Sequence, residues 1–302
     1  MSRIDFHADD YILTQASDKD ILDLCKNQQV QSISLMVNMD RFDKAIPLLK
    51  TVQERGSSKI KMSIHLNFME GRSCAQKELV PDLVDDLGYF TVSWGKLLKW
   101  SYTSKKRAEI KRQLRDEILA QTHKTLESKV LGNQKLRFDS HQHPHMIPVV
   151  WEALLEAVDI LKDEGYETEF IRNSRDIMLP YLKHPKLYLS YSPVNLVKCC
   201  ILNFFAHKVA GDLKKRNLPK NLVCGVLFSD YMDYDRLKVI IPSYIQCAEK
   251  SDSTVEVLFH PGKAISEELT GEFSKEGFSA FHLSANRTVE KESLKRLVAE
   301  FA

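Results

Sequence analysis

The stretch from Phe138 to His145 carries an aspartate and three histidines at every second residue. Side chains of an extended strand alternate between two faces, so Asp139, His141 and His143 would project from the same side. Imidazole and carboxylate groups on one face suit a divalent cation that takes nitrogen and oxygen ligands. The alternative interpretation is a histidine-rich strand end that lies at the surface.

Polar residues also close three other predicted strands. Asp9 and Asp10 end the first strand, where one acid could bind a metal while the other stays free as a base. His65 ends the third strand, and His260 ends the last strand before a Pro-Gly turn. The structural alternatives are that the aspartates cap a turn and that each histidine is held by core or loop hydrogen bonds.

The composition is that of a globular protein with a sizeable core. The chain has 302 residues, of which 43% are hydrophobic and 28% charged, and its formal net charge is +2. This balance argues against a nucleic-acid partner and against a membrane surface. No apolar run approaches the ~18 residues of a membrane span, and no signal-peptide pattern opens the sequence.

Two further patterns favour ordinary structural interpretations. The six cysteines form no C-x-x-C pair, which indicates reduced thiols in a cytoplasmic protein. Basic residues gather from Lys96 to Arg115 but interleave with Glu109, Asp116 and Glu117 at helical spacing, as on a solvated helix face.

Alternation of strands and helices dominates the chain and predicts a mostly parallel sheet. The strand predictions are Arg3 to Ala8, Ser32 to Val37, Lys59 to Leu66, Leu136 to Asp139, Glu167 to Ile171, Leu222 to Leu227 and Thr254 to Phe259. The helix predictions include Asp18 to Gln28 with Ser17 as N-cap, Asp40 to Arg55, Pro148 to Glu164, Val194 to Lys215, Tyr234 to Glu249 and Glu290 to Phe301.

A (β/α) barrel explains the pattern better than an open dinucleotide-binding sheet. No G-x-G-x-x-G follows the first strand. Chemically active residues instead follow several different strands, as they do at the carboxyl face of a barrel. We expect one α/β domain over residues 1–302, with an insertion from Asn67 to Ser104 over the barrel mouth. Trp94 and Trp100 in that segment either stack on sugar rings or pack the insertion.

The chain resembles the YdjC-like carbohydrate deacetylases, which include chitooligosaccharide deacetylases. The family pattern has N-A-D-D near the N-terminus, H-x-N at the third strand, D-S-H-x-H-x-H in mid-chain and H-P-G near the end. The corresponding segments here are His7-Ala8-Asp9-Asp10, His65-Leu66-Asn67, Asp139-Ser140-His141-Gln142-His143-Pro144-His145 and His260-Pro261-Gly262. They come in the same order and span nearly the whole chain.

The resemblance implies a fold, a cofactor and a set of roles. The fold would be a seven-stranded, TIM-like barrel that often forms a dimer. The cofactor would be a divalent ion, usually magnesium and sometimes zinc. Its ligands would be Asp10, His65 and His141, with Asp9 as the base and His260 as the acid.

Other residues near these motifs are candidates for supporting roles. Asp139 could orient a ligating imidazole, and His143 could do the same or touch substrate. Asn67 is a candidate for substrate binding. Arg172 could hold Asp9 or bind substrate, with surface pairing as the alternative.

The chain departs from the family pattern at three positions. His7 stands where the family usually has Asn, and Tyr11-Ile12 replaces Phe-Gly. Loss of that glycine could alter the turn that aims Asp10, because Ile adopts a positive φ only at a cost. His7 could add a metal ligand or change substrate selection.

The function expected from the sequence is therefore removal of an acetyl group from an N-acetylated amino sugar or oligosaccharide by metal-activated water. Two alternatives stay open. One is another metal hydrolase, either a phosphoesterase or an amidohydrolase. The other is a sugar-binding protein with a degenerate site, which the departures at His7, Tyr11 and Ile12 motivate.

Overall fold

The computed structural model describes residues 3–56, 60–103, 105–269 and 276–301. Lys59 and Ser104, where a predicted strand begins and the predicted insertion ends, lie outside these ranges. The described strands are β1 Ile4–Tyr11, β2 Ser32–Leu35, β3 Lys61–Leu66, β4 Leu136–Ser140, β5 Thr168–Ile171, β6 Asn221–Cys224 and β7 Thr254–Phe259. Each overlaps one of the predicted strands.

The seven strands form one parallel sheet in the order β5-β4-β3-β2-β1-β7-β6. All the carboxyl ends therefore lie along the same edge. The register sets His65 of β3 directly beside Asp139 of β4, and His7 of β1 beside Ser32 of β2. The prediction of a parallel α/β sheet is confirmed.

The sheet curls until its two edge strands, β5 and β6, approach each other. Across this seam Val223 N donates to Arg175 O at 2.8 Å, and Asn173 N donates to Asn221 Oδ1 at 2.9 Å. The Asn221 side chain also donates to Asn173 O at 3.1 Å. These bonds satisfy polar groups that an open edge would leave unpaired.

Helices cover the outer face of the curled sheet. They are α1 Gln15–Lys26, α2 Phe42–Arg55, α3 Trp94–Tyr102, α4 Arg107–Glu127, α5 Pro148–Asp163, α6 Leu179–Leu182, α7 Pro193–Lys215, α8 Tyr234–Ser251, α9 Glu276–Leu283 and α10 Asn286–Phe301. Their apolar faces bury a continuous core against the strands. Among the helices of the described ranges, none has the length and apolar character needed to cross a bilayer.

Three local predictions need correction. Helix α1 is capped by Thr14 rather than Ser17, because Ser17 lies at the third helical position and completes a reciprocal capping box with Thr14. Strand β6 ends at Cys224 and not at Leu227, because the backbone turns at Gly225, whose φ is 148°. Glu117 does not lie on a solvated face; its side chain is fully buried.

The predicted alternation from Asp139 to His145 also stops early. Strand β4 ends at Ser140, and Gln142 and His143 both have a φ of 62°. A short 3₁₀ helix, Pro144–Met146, follows. The histidines therefore reach their positions through a tight turn and not through a continued strand.

Candidate active site

Asp10, His65 and His141 meet at the carboxyl edge of the sheet, although they come from three separate parts of the chain. His141 Nδ1 lies 2.9 Å from Asp10 Oδ1, and His65 Nε2 lies 3.3 Å from the same oxygen. One potential ligand atom from each residue lies within 4.8 Å of the others, and all three side chains are buried. The structure thus brings the sequence-predicted trio together.

The chemistry of this trio fits a divalent cation. Asp10 Oδ2 is buried, and no hydrogen-bond partner for it lies within the described ranges. Burial acts to raise the pKa of Asp10, but the charge of His141 and hydrogen bonds from His141 and His65 hold it well below its usual range. One ionised carboxylate and two imidazoles are a donor set shared by zinc and by several other divalent ions.

The backbone at the end of β1 aims Asp10 toward the two histidines. Pairing with β2 shifts register between Ala8 and Tyr11, and Asp10 has a φ of 70°. A register shift of this kind rotates a side chain out of the regular alternation. The side chains of Asp9 and Asp10 consequently point in different directions, so the two adjacent acids can serve different roles.

His65 is oriented by Asp139 on the neighbouring strand. Its Nδ1 lies 2.7 Å from Asp139 Oδ1, so that Nε2 faces Asp10. Burial acts to lower the pKa of His65, yet the charges of Asp9 and Asp139 raise it to about 10. A carboxylate on the far nitrogen of a ligating imidazole is the usual support of a metal site.

Asp9 forms a buried ion pair on the other side of the turn. Arg172 donates to its Oδ2 at 3.1 Å and to its Oδ1 at 3.0 Å, and His7 Nε2 lies 2.9 Å from Oδ1. Burial acts to raise the pKa of Asp9, but the charges of Arg172 and His65 and the bond with His7 place it well below its usual range. Asp9 is therefore ionised.

Arg172 is fully buried and also donates to Glu256 at 2.8 Å. It holds Asp9, which is one of the roles considered for it from the sequence. The surface-pairing alternative is wrong, because no part of this side chain reaches solvent. Its predicted contact with substrate stays a prediction.

His260 follows β7 and faces Asp9 from the opposite wall. Its Nε2 lies 3.8 Å from Asp9 Oδ2, and its Nδ1 lies 3.6 Å from Glu290 Oε2 in α10. The backbone N–H of His260 donates to the same Glu290 oxygen at 2.6 Å. Glu290 thus fixes the main chain of His260 and places a carboxylate near its ring, and sequence reasoning missed this residue.

Gly262 explains why a glycine follows His260 and Pro261. Its φ is 106°, and a Cβ there would lie 2.4 Å from Ser17 Cα and 2.5 Å from Ser17 N. No side chain fits between this turn and the first turn of α1. The close approach fixes the loop that carries His260.

One cavity of about 410 Å³ is lined by the trio Asp10, His65 and His141 and also by Asp9 and His260. This volume is within the range of small-molecule sites. The lining consists of Asp9, Asp10, His65, His141, Gln142, His143, Val194, Asn195, Lys198, Gly225, Val226, Ser229, Leu258, His260 and Phe281. Sequence reasoning missed the contributions of α7 and of the loop after β6, which have no motif.

Lys198 is the lysine of this lining. In the described part of the chain no carboxylate lies within ion-pair distance of it. Burial lowers the pKa of Lys198, although the charges of Asp9 and Asp10 act in the opposite direction. The lysine thus adds positive charge to a wall otherwise rich in acids and imidazoles.

The other sequence candidates differ in their access to the cavity. His143 lines it and bonds through Nδ1 to Ser174 Oγ at 2.9 Å. Burial, with the charges of Lys198 and Arg172, holds the pKa of His143 well below its usual range, so the ring is neutral.

Asn67 lies outside the cavity lining and is fully buried. Its side chain donates to Glu70 O at 2.7 Å and to Asn38 Oδ1 at 3.0 Å, while its oxygen accepts from Met69 N at 2.9 Å. These contacts shape the loop after β3. Nothing in them supports the predicted role of Asn67 in substrate binding.

The tryptophans of the segment after β3 pack instead of stacking in the cavity. Trp94 Nε1 donates to Gln142 O at 3.1 Å, and both Trp94 and Trp100 contact the hydrophobic core. Neither belongs to the described cavity lining. The packing alternative therefore describes them.

A family model described as YdjC-like protein matches residues 3–297. The chain belongs to the YdjC-like family. The match covers every strand of the sheet and all the residues of the site.

Proteins named carbohydrate deacetylase are similar over part of the chain. One from Thermoanaerobacter pseudethanolicus is 27% identical over 150 residues, which are 50% of this chain and 54% of that protein. One from Vibrio cholerae serotype O1 is 26% identical over 60% of this chain and 71% of its own length. One from Clostridium beijerinckii is 29% identical over 56% and 67%. The chain thus spans only about half of the first of these relatives.

A solved structure supports the fold. It is a crystal structure of an Enterococcus faecalis V583 protein described as a candidate cellobiose-phosphate cleavage protein, 17% identical to this chain. The two structures superpose with a TM-score of 0.65 over 98% of this chain and 92% of the other.

The departures from the YdjC-like pattern are accommodated inside the core. Ile12 adopts a φ of 86°, and its N–H donates to Asp18 Oδ1 at 2.8 Å. The hydroxyl of Tyr11 donates to Ala45 O at 2.7 Å. The turn that follows Asp10 therefore places a β-branched residue at a positive φ, which is a strained conformation.

Proposed function

We propose that this chain is a metal-dependent hydrolase that removes the acetyl group from an N-acetylated amino sugar or short oligosaccharide. The observation that carries the proposal is the convergence of Asp10, His65 and His141 beside Asp9 and His260 in one cavity. The names of the relatives point to the same reaction class.

Asp10, His65 and His141 would hold the divalent ion, with magnesium the leading candidate and zinc the second. A divalent ion held by such ligands lowers the pKa of water and polarises a carbonyl oxygen. Asp139 would keep His65 in the orientation in which Nε2 faces the ion. Asp10 Oδ2 is buried and has no hydrogen-bond partner among the described residues, which supports this assignment.

Asp9 would act as the general base. It is ionised, and Oδ2 accepts one hydrogen bond from Arg172, which leaves a lone pair of this oxygen for a water molecule. Accepting a proton from the water that attacks the acetyl carbonyl typically contributes about 10²–10⁴-fold to the rate.

His260 would protonate the departing amine when the C–N bond breaks. Its Nε2 faces Asp9, and Glu290 Oε2 lies 3.6 Å from its other nitrogen. Acetate and a free amino sugar would result. The cavity would hold the sugar, and His143 and Lys198 are among the polar groups of its lining that would contact it.

The proposal also covers the domain organisation, the closure of the sheet, the oligomeric state and the location of the protein. We infer that residues 1–302 form one domain, that the curled sheet is a TIM-like barrel closed across the seam between β5 and β6, and that the protein is a cytoplasmic homodimer. The seam bonds between Asn173 and Asn221 support the barrel. The dimer and the location rest on family resemblance and on the reduced cysteines.

The test is a comparison of products from the purified protein. N,N′-diacetylchitobiose and related sugars, with Mg²⁺ or Zn²⁺ added, should yield acetate and a free amine. An aryl phosphate should yield no phosphate. Phosphate release without acetate would favour the phosphoesterase alternative, and sugar binding without any acetate would favour a degenerate site.

A further inference from the structure

A second cavity, of about 550 Å³, lies where the end of α7 meets the seam between β5 and β6. This seam cavity shares no lining residue with the candidate active site. Helix α7 contributes to both, and Lys198 and Lys214 are about 24 Å apart along an axis that rises about 1.5 Å per residue. The lining of the seam cavity consists of Asn173, Arg175, Ala210, Gly211, Leu213, Lys214, Asn217, Leu218, Lys220, Asn221, Leu222, Ser251 and Ser253.

The charges of this lining all have the same sign. Arg175, Lys214 and Lys220 contribute three cations, and none of the lining residues is an aspartate or a glutamate. The candidate active site differs, because Asp9 and Asp10 stand in the same lining as Lys198. The seam cavity is therefore a place where positive charge collects without its counter-charge.

The guanidinium of Arg175 has no protein partner in the described part of the chain. Its backbone is fixed in the seam, where Arg175 O accepts from Val223 N at 2.8 Å, and the side chain is half-buried. By contrast, Arg172 and Arg216 each bind carboxylates. A guanidinium carries five N–H donors in a planar fork that matches the oxygens of a phosphate or a carboxylate. Arg175 thus offers an anion site whose acceptor does not come from the described residues.

The two lysines of the lining also keep their charge available. Lys214 forms no ion pair with any described residue, and Lys220 Nζ donates only to the backbone oxygen of Ser251, at 3.3 Å. The aspartates next to the lining in sequence, Asp212 and Asp252, accept hydrogen bonds from side chains outside it. The three cations are therefore not neutralised by these neighbours.

Apolar side chains form the rest of the wall and constrain the body of a ligand. Leu213 and Leu222 are buried, and Ala210 and Leu218 lie beside them in the lining. An inorganic anion would leave this surface without a partner, whereas an apolar group would cover it. Three cations also exceed the single charge of a carboxylate and suit the nearly double charge of a phosphate group.

We propose that the seam cavity binds a small organic phosphate monoester. Arg175 binds two phosphate oxygens through its fork, and Lys214 and Lys220 add point charges. The apolar body of the ligand lies against Leu213 and Leu222. This site does not depend on the proposed deacetylase function, because no candidate for metal binding or catalysis lines the cavity.

Phenylphosphonate is the probe for this site, because it joins an apolar ring to a phosphate-like group through a C–P bond that phosphoesterases do not cleave. Isothermal titration of the full chain at about pH 8.5, where the group is a dianion, should show saturable binding of one probe per chain. Benzoate, with one charge, should bind more weakly, and neutral benzyl alcohol should not bind. Absence of saturable phenylphosphonate binding at about 10 mM, a weak affinity even for so small a ligand, would overturn the proposal.

Variants of the cations locate the probe in the seam cavity. R175M and K214M should each weaken phenylphosphonate binding about 10-fold or more, the scale of a lost hydrogen bond to a charged group. K215M is the matched control, because Lys215 is the next residue of α7, carries the same charge and lies outside the lining. Its affinity should change by less than about twofold, since water and salt screen a charge outside the site. An equal loss in K215M would show unspecific charge attraction and overturn the proposal.

The K198M variant tests the other cavity, whose lining includes Lys198. Its affinity for phenylphosphonate should also stay within about twofold of the unmodified protein, because the two linings are separate. Loss of binding in K198M, with unchanged binding in R175M and K214M, would place the probe in the candidate active site and overturn the proposal. If R175M does not fold, K214M decides, because Lys214 is exposed on α7 and makes none of the seam bonds.

Discussion

Both side-chain oxygens of Asp9 accept hydrogen bonds from the guanidinium of Arg172, at 3.1 Å and 3.0 Å. The pair is fully enclosed, and Glu256 and Asp139 share the same guanidinium. Asp9 is thus a fixed carboxylate and not a mobile one. The geometry of the proposed base depends on a buried cation that lies outside the described cavity lining.

Replacement of Arg172 by Met should be strongly destabilising. It leaves three buried carboxylates without their shared partner, and breaking a buried ion pair costs about 3–5 kcal/mol. Urea unfolding at neutral pH measures the loss. The matched control is R216M at the surface, where Arg216 pairs with Asp159 and the expected cost is below about 1 kcal/mol. Equal losses in the two variants would contradict this account.

The D139N variant should weaken metal binding. Asp139 orients His65 through a 2.7 Å contact, and loss of such support typically costs about 10–100-fold in metal affinity. Isothermal titration with Mg²⁺ or Zn²⁺ measures it. D5N is the control, because Asp5 accepts from Ser32 and pairs with Lys61 but forms no hydrogen bond or ion pair with His65 in the described structure. The metal affinity of D5N should stay within about threefold of the unmodified protein. An unchanged metal affinity in D139N would show that Asp139 does not support the metal site.

Glu117 should make stability depend on pH. Burial raises its pKa to about 7, although Cys74 N and Ala75 N donate to it. Because the folded pKa exceeds the ordinary value, the protonated acid favours the folded state at low pH. This contribution, roughly 3 kcal/mol, is lost as the pH rises from about 4.5 through 7.

The comparison for Glu117 is the E117Q variant, which cannot titrate at this position. The difference in the free energy of unfolding between unmodified protein and E117Q should change by roughly 3 kcal/mol over that pH range. Denaturant curves at several pH values measure it. A difference that does not vary with pH would show that Glu117 titrates normally.

Gly262 should tolerate no side chain. The G262A variant places a methyl group 2.4 Å from the backbone of Ser17 at a positive φ, and the expected loss is about 3 kcal/mol or more. G211A in α7 is the control, because nothing lies within 4 Å of its added Cβ and alanine favours helix. A G262A protein as stable as G211A would contradict the described packing.

The sequence predicted the elements that depend on local pattern. Runs of apolar residues located all seven strands, and polar residues at their ends located Asp10, His65, His141 and His260. Because parallel strands place their carboxyl ends along one edge of the sheet, residues at these ends are expected to lie close together. The ligand-supporting role expected for Asp139 agrees with its position beside His65 in the register.

The features that the sequence did not predict depend on packing between distant elements. Glu290 and Lys198 reach the site only because α10 and α7 dock in particular orientations. Glu117 shares the buried face of α4 with Leu114 and Ile118, but its partners, Cys74 N and Ala75 N, come from a distant loop that the helix pattern does not reveal. The turn through Gln142 and His143 needs two positive φ angles, which neither residue type predicts.

Metal-dependent acetate release is the most direct test of the central claim. Protein treated with a chelator, then titrated with Mg²⁺ or Zn²⁺ in the presence of N,N′-diacetylchitobiose, should regain activity that saturates at about one ion per chain. The D10N variant should lose ion binding and activity, whereas D9N should bind the ion and lose about 10²–10⁴-fold in kcat. Undiminished acetate release by the chelated protein, or by D10N, would contradict the account.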